Sequence, residues 1–291
     1  MELVAGSTSA VFVPRLGMTG VSLRSRGAEH LALPGGLDAL RAGRTTGLPL
    51  LAPWANRLSH RQYRAAGVDV DLAGRRLTVD GSGLPIHGLL IGRDGWCVDR
   101  LAARGNTAKL VASIDVDAPA FPFPHRIELA ATLRDSQLRI DTTLVPRGRR
   151  PVPVAFGWHP YLRLAGVGRS QWQLRLPDRI HRALDERGIP NGAANRERAE
   201  TNPVGTRTFD DLYGLGRDRR LAFCADDGHS IELHCAKNYP FAQVWIPKGR
   251  PFAALEPMAA PTNALVTGDT PVVRRGEPFT ATFALTLDQP T

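Results

Sequence analysis

Cysteine is scarce in this sequence, and its scarcity excludes two ways of holding a fold together. Only Cys97, Cys224 and Cys235 occur, and no two of them form a Cys-x-x-Cys pair. An odd number of widely spaced cysteines predicts neither a disulfide framework nor a thiolate zinc site. Because Cys235 continues an alternating apolar run, we expect it to fill space in the core.

Long apolar stretches are also absent. The sequence has no run of about 18 apolar residues, which is the length that a membrane-spanning helix needs. Its first residues, Met-Glu-Leu-Val-Ala-Gly-Ser, contain neither the basic region nor the long apolar region of a secretion signal. We therefore expect a soluble, cytoplasmic protein with no membrane partner.

The motifs that hold common cofactors are missing as well. Neither Gly-x-x-x-x-Gly-Lys-Ser/Thr nor Gly-x-Gly-x-x-Gly after a strand occurs, and there is no Gly-x-Ser-x-Gly nucleophile motif. His87 and His159 have no His or Cys at metal-ligand spacing. The sequence thus predicts no cofactor and no catalytic metal, which leaves histidine and carboxylate side chains as candidates for proton transfer.

Lysine is rare even though the net charge is +9. Three of the 37 basic residues are lysine, so the other 34 are arginine. Nucleic-acid-binding proteins usually cluster their basic residues on one face or segment, whereas these arginines are scattered along the chain. We expect no nucleic-acid partner.

What the sequence does contain is a period-2 alternation of apolar residues, which is typical of half-buried strands. Alternating runs cover residues 127–133, 138–144, 172–176, 231–235 and 279–287, and shorter candidate strands cover 10–14, 21–24, 68–72, 96–102, 108–114, 243–246 and 252–255. Asp135 and Ser136, between the first two runs, predict a hairpin turn. Hydrophobic residues make up 43%, enough for a sizeable core. The pattern predicts an all-β protein of two or more stacked antiparallel sheets in a single domain over residues 1–291.

Other elements are few. Residues 37–41 could form one helical turn, and no stretch of a dozen residues has helical periodicity. The longest irregular stretches, 34–59 and 179–208, are predicted to be loops, and loops of this length are often functional.

The stretch Phe-Gly-Trp-His-Pro-Tyr at 156–161 carries the first candidate for chemistry. It places His159 between large aromatic residues, and a histidine that is partly desolvated and held still suits a general acid. Glu256 follows the apolar run 252–255. We expect it at the end of a buried strand, where burial raises a carboxyl pKa toward that of a useful base.

Other polar residues stand beside proline, glycine or aromatic residues. Arg57 follows Trp-Ala-Asn and can clamp a hydroxyl or carboxylate group. His87, between Pro-Ile and Gly, can donate to a substrate oxygen. Asp210 and Asp211 can accept hydrogen bonds from sugar hydroxyls, because an ionised carboxylate is only an acceptor.

The motifs and their order resemble those of the aldose 1-epimerase (galactose mutarotase) family over most of the chain. In chain order they are Asn56-Arg57, Pro-Ile-His87-Gly, Trp-His159-Pro-Tyr161, Phe-Asp210-x-x-Tyr, Ala-Gln243-Val-Trp and Leu-Glu256-Pro. The resemblance implies a galactose-mutarotase-like β-sandwich with a sugar cleft on one sheet face. It implies that His159 is the proton donor and Glu256 the base. It also implies substrate-binding roles for Asn56, Arg57, His87, Tyr161, Asp210 and Gln243.

The sequence departs from the family pattern beside the histidine. The better-known members have Asn before it and commonly Ser after it, where this chain has Trp158 and Pro160. In the Asp-Asp pair, Asp210 is preferred over Asp211 because an aromatic residue, Tyr213, lies three positions later.

The resemblance implies an isomerase that interconverts the α and β anomers of a free aldohexose by acid-base ring opening and closure. Its partner would be a small-molecule sugar, and it would act as a monomer or weak homodimer. Two alternatives stay open. One is a hexose-6-phosphate 1-epimerase, which would need a further arginine near the cleft, with Arg93 and Arg163 as candidates. The other is a non-catalytic carbohydrate-binding or regulatory protein on the same fold.

Overall fold

The computed structural model describes residues 1–288, and most of its regular structure is strand. The first half of the chain forms β1 (Glu2–Ala5), β2 (Thr8–Val13), β3 (Thr19–Ser25), β4 (Ala28–Glu29), β5 (Leu50–Leu51), β6 (Gln62–Ala65), β7 (Val68–Asp71), β8 (Cys97–Arg104), β9 (Thr107–Ala118), β10 (Phe121–Arg134) and β11 (Gln137–Pro146). The second half forms β12 (Val152–Pro153), β13 (Gly157–Trp158), β14 (Tyr161–Leu162), β15 (Gln173–Leu176), β16 (Arg179–Leu184), β17 (Pro190–Glu197), β18 (Glu200–Pro203), β19 (Phe209–Leu215), β20 (Arg220–Cys224), β21 (Ser230–Lys237), β22 (Phe241–Ile246), β23 (Ala253–Met258), β24 (Val272–Val273) and β25 (Phe279–Asp288).

Helices are short. They are α1 (Gly36–Arg41), which matches the predicted helical turn, and α2 (Ala264–Thr267), with 3₁₀ turns at Pro14–Leu16 and Arg169–Gln171. Within residues 1–288, no helix reaches the length and apolar character that crossing a bilayer takes.

Two large sheets dominate the architecture. One has nine strands in the order β18-β15-β20-β21-β25-β11-β10-β9-β8. The other has eight, in the order β17-β16-β19-β22-β23-β13-β5, with β14 also paired to β23. Strands β1 to β4 form a four-stranded sheet, and β6-β7 and β12-β24 are two-stranded. All pairings between these strands are antiparallel, which confirms the predicted all-β class.

The predicted hairpin, which lies in the nine-stranded sheet, is confirmed. β10 and β11 pair in register down to Arg134 opposite Gln137, so Asp135 and Ser136 form the turn. The alternating apolar residues of both strands are buried. They are buried because side chains at every second position of a strand share one face.

The core lies between the two large sheets. Trp158 of β13 packs against Phe283 of β25, with ring centroids 5.7 Å apart. The indole Nε1 of Trp158 donates a 3.0 Å hydrogen bond to Thr142 Oγ1 on β11. Cys235 is fully buried in this core, as predicted.

The prediction of a loop over residues 179–208 is wrong. This segment forms β16, β17 and β18. β17 is the edge of the eight-stranded sheet and β18 the edge of the nine-stranded sheet. Most residues of β17 are exposed, whichever face of the strand they lie on. The segment therefore lacks the alternation of apolar and polar residues from which strands were predicted. The other long stretch, 34–59, is irregular apart from α1 and β5.

Candidate active site

The eight-stranded sheet brings His159 and Glu256 together. β13 and β14 both pair with β23. His159 lies in the short link between β13 and β14, while Glu256 lies within β23. Both side chains are almost fully buried, and His159 Nε2 is 3.3 Å from Glu256 Oε1. The two predicted catalytic groups therefore form one pair.

Glu256 is not at the end of its strand, as the sequence suggested. β23 continues through Pro257, which is paired opposite Ala242, and ends at Met258. Proline lacks an N–H group but its fixed φ fits an extended chain, so it removes a donor without ending the strand. Burial of the carboxyl group, the basis of the prediction, is confirmed.

Trp158, one departure from the family pattern, points away from this pair. Successive side chains alternate in extended chain, and the indole of Trp158 lies between the sheets, bonded to Thr142. The residue before His159 is thus a core residue here. The backbone amide of His159 donates a 3.1 Å hydrogen bond to the carbonyl of Pro49, which fixes the backbone of the histidine.

Burial disfavours the charged form of both members of the pair. It lowers the pKa of His159 to about 3. Burial, reinforced by the carboxylate of Asp210, raises the pKa of Glu256 well above its ordinary value, against the opposing charge of Arg57. These shifts favour neutral His159 and protonated Glu256, a pair that carries one titratable proton. Burial on both sides disfavours a separated imidazolium and carboxylate.

Tyr161 lies flat on the histidine. Its ring is 4.5 Å from that of His159 and nearly parallel to it, at 15°. Its hydroxyl shares a 2.7 Å hydrogen bond with Thr45 Oγ1. Burial raises the pKa of Tyr161 to about 12, and the Thr45 bond acts in the opposite direction. Tyr161 therefore remains a neutral hydroxyl that fixes the plane of the His159 ring.

Two facing loop segments carry the next residues. The His87 amide donates to the Asn56 carbonyl at 3.0 Å, and Arg57 and Ile86 form an antiparallel bridge. Asn56 (φ 55°) and His87 (φ 63°) both have left-handed backbone conformations. Asn and His are among the residues that adopt this region most readily.

His87 packs edge-on against His159. The ring centroids of His87 and His159 are 5.6 Å apart and the rings are nearly perpendicular. Burial, with smaller effects from His159 and Arg57, lowers the pKa of His87 well below its ordinary value. A neutral His87 can donate one hydrogen bond and accept another.

Arg57 is held by acceptors from three segments. Its Nε donates to Asp80 Oδ2 at 2.7 Å, its Nη2 to Asp210 Oδ2 at 3.4 Å and its Nη1 to Asn56 Oδ1 at 3.3 Å. Burial alone would raise the pKa of Asp80, but the hydrogen bonds from Arg57 and from the backbone of Leu84 and Ser82 outweigh it and lower that pKa. Asp80 stays ionised and anchors the guanidinium group.

The turn between β16 and β17 approaches the same guanidinium group. Gly188, in this turn, has φ +73°, and a Cβ atom built there would lie 2.7 Å from Arg57 Nη1. The hairpin that the sequence did not predict thus forms part of the wall behind Arg57.

The two adjacent aspartates point to opposite faces of β19. Asp210 accepts a 2.7 Å hydrogen bond from Gln243 Nε2 and contacts Arg57. Asp211 contacts Tyr213 at 3.3 Å and His181 at 3.4 Å on the other face. Only Asp210 of the two faces the site, which agrees with the preference drawn from the sequence.

These side chains surround a cavity of about 190 Å³. Its lining contains every predicted site residue except Gln243, which lies behind Asp210 and holds it. The lining residues are Thr45, Asn56, Arg57, Ile86, His87, His159, Tyr161, Asp210, Trp245 and Glu256. The cavity admits a ligand about the size of one sugar ring and presents it with donors, acceptors and the His159–Glu256 pair.

Four residues of this site were missed from the sequence. Thr45, Ile86 and Trp245 line the cavity, and Asp80 anchors Arg57. The Trp in the Ala-Gln-Val-Trp motif was a usable signal for Trp245. Asp80 and Thr45 had none, since their roles come from contacts with residues distant in the chain. Within residues 1–288, no group of three or more His, Cys, Asp or Glu side chains could hold a metal ion.

Comparison with known proteins agrees with this fold. The model of the Aldose 1-epimerase family matches residues 2–286. A galactose mutarotase-like protein from Clostridium acetobutylicum superimposes with a TM-score of 0.88 at 17% identity, covering 99% of this chain and 95% of the other. A galactose mutarotase related enzyme from Lactobacillus acidophilus gives 0.79 at 16% identity, covering 100% and 98%. A galactose 1-epimerase from Lactobacillus acidophilus NCFM gives 0.78 at 12% identity, covering 98% and 92%. The search of curated protein sequences finds no match.

Proposed function

The chain belongs to the aldose 1-epimerase family, and from that premise we propose that it interconverts the α and β anomers of a free aldohexose. The observation that carries the proposal is the 3.3 Å contact between His159 and Glu256 in a cavity about the size of one sugar ring. Mutarotation needs one group that gives a proton to the ring oxygen and one that takes a proton from the anomeric hydroxyl. A buried pair that shares one proton can supply both.

In this mechanism the proton of Glu256 first crosses the short contact to His159. His159 then gives its proton to the ring oxygen while the bond between that oxygen and C1 breaks. At the same time the Glu256 carboxylate takes the proton of the anomeric hydroxyl, which becomes an aldehyde. After rotation about C1–C2, the reverse transfers close the ring on the other face. Each positioned transfer contributes roughly 10²–10⁴-fold to the rate.

The remaining residues orient the sugar. Asp210 accepts hydrogen bonds from hydroxyl groups, and Arg57 and Asn56 donate to them. His87, beside His159, supports the oxygen on which charge develops. Gln243 and Asp80 act through Asp210 and Arg57, because each holds one of these side chains in place.

The hexose 6-phosphate alternative requires a guanidinium group that can meet a phosphate inside the cavity. Of the described residues that line the catalytic cavity, Arg57 is the one arginine, and its guanidinium group is already paired with Asp80 and Asp210. The two candidates from the sequence, Arg93 and Arg163, are not among the lining residues. We therefore propose a neutral aldohexose for the reacting ring.

The test is anomer-resolved NMR of glucose, galactose and glucose 6-phosphate, with and without the protein. We expect faster exchange between anomers of the free hexoses, and its loss in His159→Ala. A strong preference for glucose 6-phosphate would favour the phosphosugar alternative. If no sugar exchanges faster but sugars still bind, the non-catalytic alternative replaces the proposal.

A further inference from the structure

A second and larger cavity adjoins the catalytic one. Its volume is about 710 Å³, and it shares Thr45, Ile86, His87, Tyr161 and Trp245 with the catalytic cavity. From these shared residues it continues over Phe252 to Arg44 and Arg250. We call this space the side groove. Its volume exceeds what a single sugar ring in the catalytic cavity would use.

One wall of the side groove is aromatic. The rings of Tyr161 and Trp245 are 5.6 Å apart, those of Tyr161 and Phe252 are 5.6 Å apart, and those of Trp245 and Phe252 are 6.1 Å apart. Rigid aromatic faces offer a large contact area at low entropic cost. The wall begins at the catalytic histidine, since Tyr161 is stacked on His159.

The charge of the side groove is uncompensated. Arg44 and Arg250 line it, and among residues 1–288 no Asp or Glu does. In the part of the chain that the structure describes, neither guanidinium group takes part in an ion pair or a side-chain hydrogen bond. By contrast, the neighbouring Arg41 is paired with Asp38 at 2.6 Å. In the catalytic cavity the guanidinium group of Arg57 is paired with Asp80 and Asp210, so the excess positive charge is confined to the side groove.

Both arginines stand on fixed backbone. Arg250 belongs to the turn between β22 and β23, and Arg169 donates to the carbonyls of Pro247 and Arg250 at 2.8 and 2.9 Å. The Arg44 amide donates to the Ala39 carbonyl of α1 at 2.8 Å. The backbone of the side groove therefore does not need to reorganise around a ligand.

We propose that the side groove is a second sugar subsite that selects an acidic disaccharide with a free reducing end. The reducing ring occupies the catalytic cavity, the second ring lies against Trp245 and Phe252, and its anionic group pairs with Arg44 and Arg250. This proposal rests on the proposed anomer interconversion and specifies its substrate class.

The test compares four sugars of matched chemistry: glucose, glucose 6-phosphate, cellobiose, and the disaccharide in which glucuronic acid replaces the non-reducing glucose of cellobiose. We expect kcat/KM for the acidic disaccharide to exceed that for cellobiose by about tenfold at low salt, with the advantage shrinking as salt screens the charges. The double variant Arg44→Gln/Arg250→Gln should abolish that advantage.

A matched control is Arg41→Gln/Lys248→Gln. It removes the same number of positive charges, one from each of the same two segments. Neither Arg41 nor Lys248 lines the side groove. We expect it to keep the preference for the acidic disaccharide. Equal loss in both double variants would mean that general electrostatic attraction, and not a subsite, produced the preference.

The remaining outcomes also decide the proposal. Equal rates for the acidic and neutral disaccharides would overturn it. The protein could instead prefer glucose 6-phosphate, and the Arg44→Gln/Arg250→Gln variant could remove that preference. This result would mean that the two arginines bind a phosphate on the reacting ring, and it would overturn the proposed subsite for a second ring. If the protein accelerates anomer exchange of none of the four sugars, the proposed activity is wrong. Calorimetric binding of the acidic disaccharide to wild type and to the two double variants then tests the subsite by itself.

Discussion

Glu256 is a single residue whose burial affects both catalysis and stability. It is 2% exposed, and its carboxyl group binds a proton more tightly in the folded chain than in the unfolded one. We predict that Glu256→Gln lowers kcat/KM by at least ~10²-fold, because glutamine cannot accept the proton. The same change should raise the free energy of unfolding at pH 8 by ~1–3 kcal/mol, because the variant no longer has to bind a proton on folding.

The sign of the stability effect follows from the direction of the pKa shift. A group whose folded pKa is raised contributes stability that is present below its unfolded pKa and is lost as pH rises through the folded pKa. Denaturant unfolding at pH 4.5 and pH 8 should therefore show the advantage of Glu256→Gln growing with pH. Glu128→Gln, on an exposed position of β10, is the control and should change neither property. A variant that is no more stable than wild type at pH 8 would mean that Glu256 is ionised in the fold.

The shared proton also predicts an unusual pH profile. A protonated histidine and an ionised carboxylate that titrate independently would be active only between their ordinary pKa values, 4.5 and 6.5. The buried pair instead holds one proton over a wider range, because the pKa of His159 is lowered to about 3 and that of Glu256 is raised. We expect kcat/KM to stay constant from pH 6 down to pH 4 and to fall only on the alkaline side. An acid limb centred near pH 4.5 would contradict this account.

At the scale of single residues, the sequence identified those site residues that can be recognised from their neighbours in the chain. His159 lies among aromatic residues and Glu256 follows an apolar run, and both are buried as that context implied. Asp80 and Thr45 could not be found in this way. Asp80 bonds a residue 23 positions away and Thr45 one 116 positions away. Their roles exist only once strand register has brought distant segments together.

Among the elements, the hairpin of β16 and β17 has the most direct effect on the site. A Cβ atom at Gly188 would meet Arg57 Nη1 at 2.7 Å. We predict that Gly188→Ala displaces the guanidinium group and lowers kcat/KM by about ten- to hundredfold, since small displacements of a positioning group are costly. Steady-state kinetics on a hexose, with the fold checked by circular dichroism, measures the effect.

Gly192 in the same hairpin provides the matched control. It also has a left-handed backbone, φ +90°, but no atom of the described residues, other than its own neighbours in the chain, would lie within 4 Å of a Cβ there. Alanine at either position brings the same backbone strain, of roughly 1 kcal/mol, and only position 188 adds the contact with Arg57. Similar kinetics for Gly188→Ala and Gly192→Ala would exclude the hairpin as a support for Arg57.

This hairpin also marks the limit of sequence patterns at the element scale. Strands with one buried face were predicted, because alternation records the burial directly. β17 has two exposed faces, so pairing with β16 is all that makes it a strand. The turn of this hairpin, in contrast, does have a signal in the sequence. Asp185 accepts backbone hydrogen bonds from Arg187 and Ile189, and Gly188 supplies the positive φ. Asp followed three residues later by Gly is a turn signal.

At the scale of the whole molecule, the core joins the two large sheets into one structure. The all-β class followed from composition and alternation, whereas the strand order within each sheet did not, since alternation says nothing about which strands are neighbours. The four-stranded sheet contributes Leu3, Ala10, Phe12 and Leu23 to the same core cluster as the two large sheets. The single domain over residues 1–291 remains a prediction.

The unfolding transition tests that prediction. Because Trp158 connects the sheets through Phe283 and Thr142, we expect Trp158→Phe to lower the free energy of unfolding by ~1–3 kcal/mol through the lost hydrogen bond and the space left unfilled. If the chain is one cooperative unit, tryptophan fluorescence and far-ultraviolet circular dichroism should report one coincident transition. The variant should then shift the midpoint of both probes equally, because damage between the sheets destabilises both of them. Two separable transitions, only one of which moves in Trp158→Phe, would show that the sheets unfold independently and would contradict the single domain.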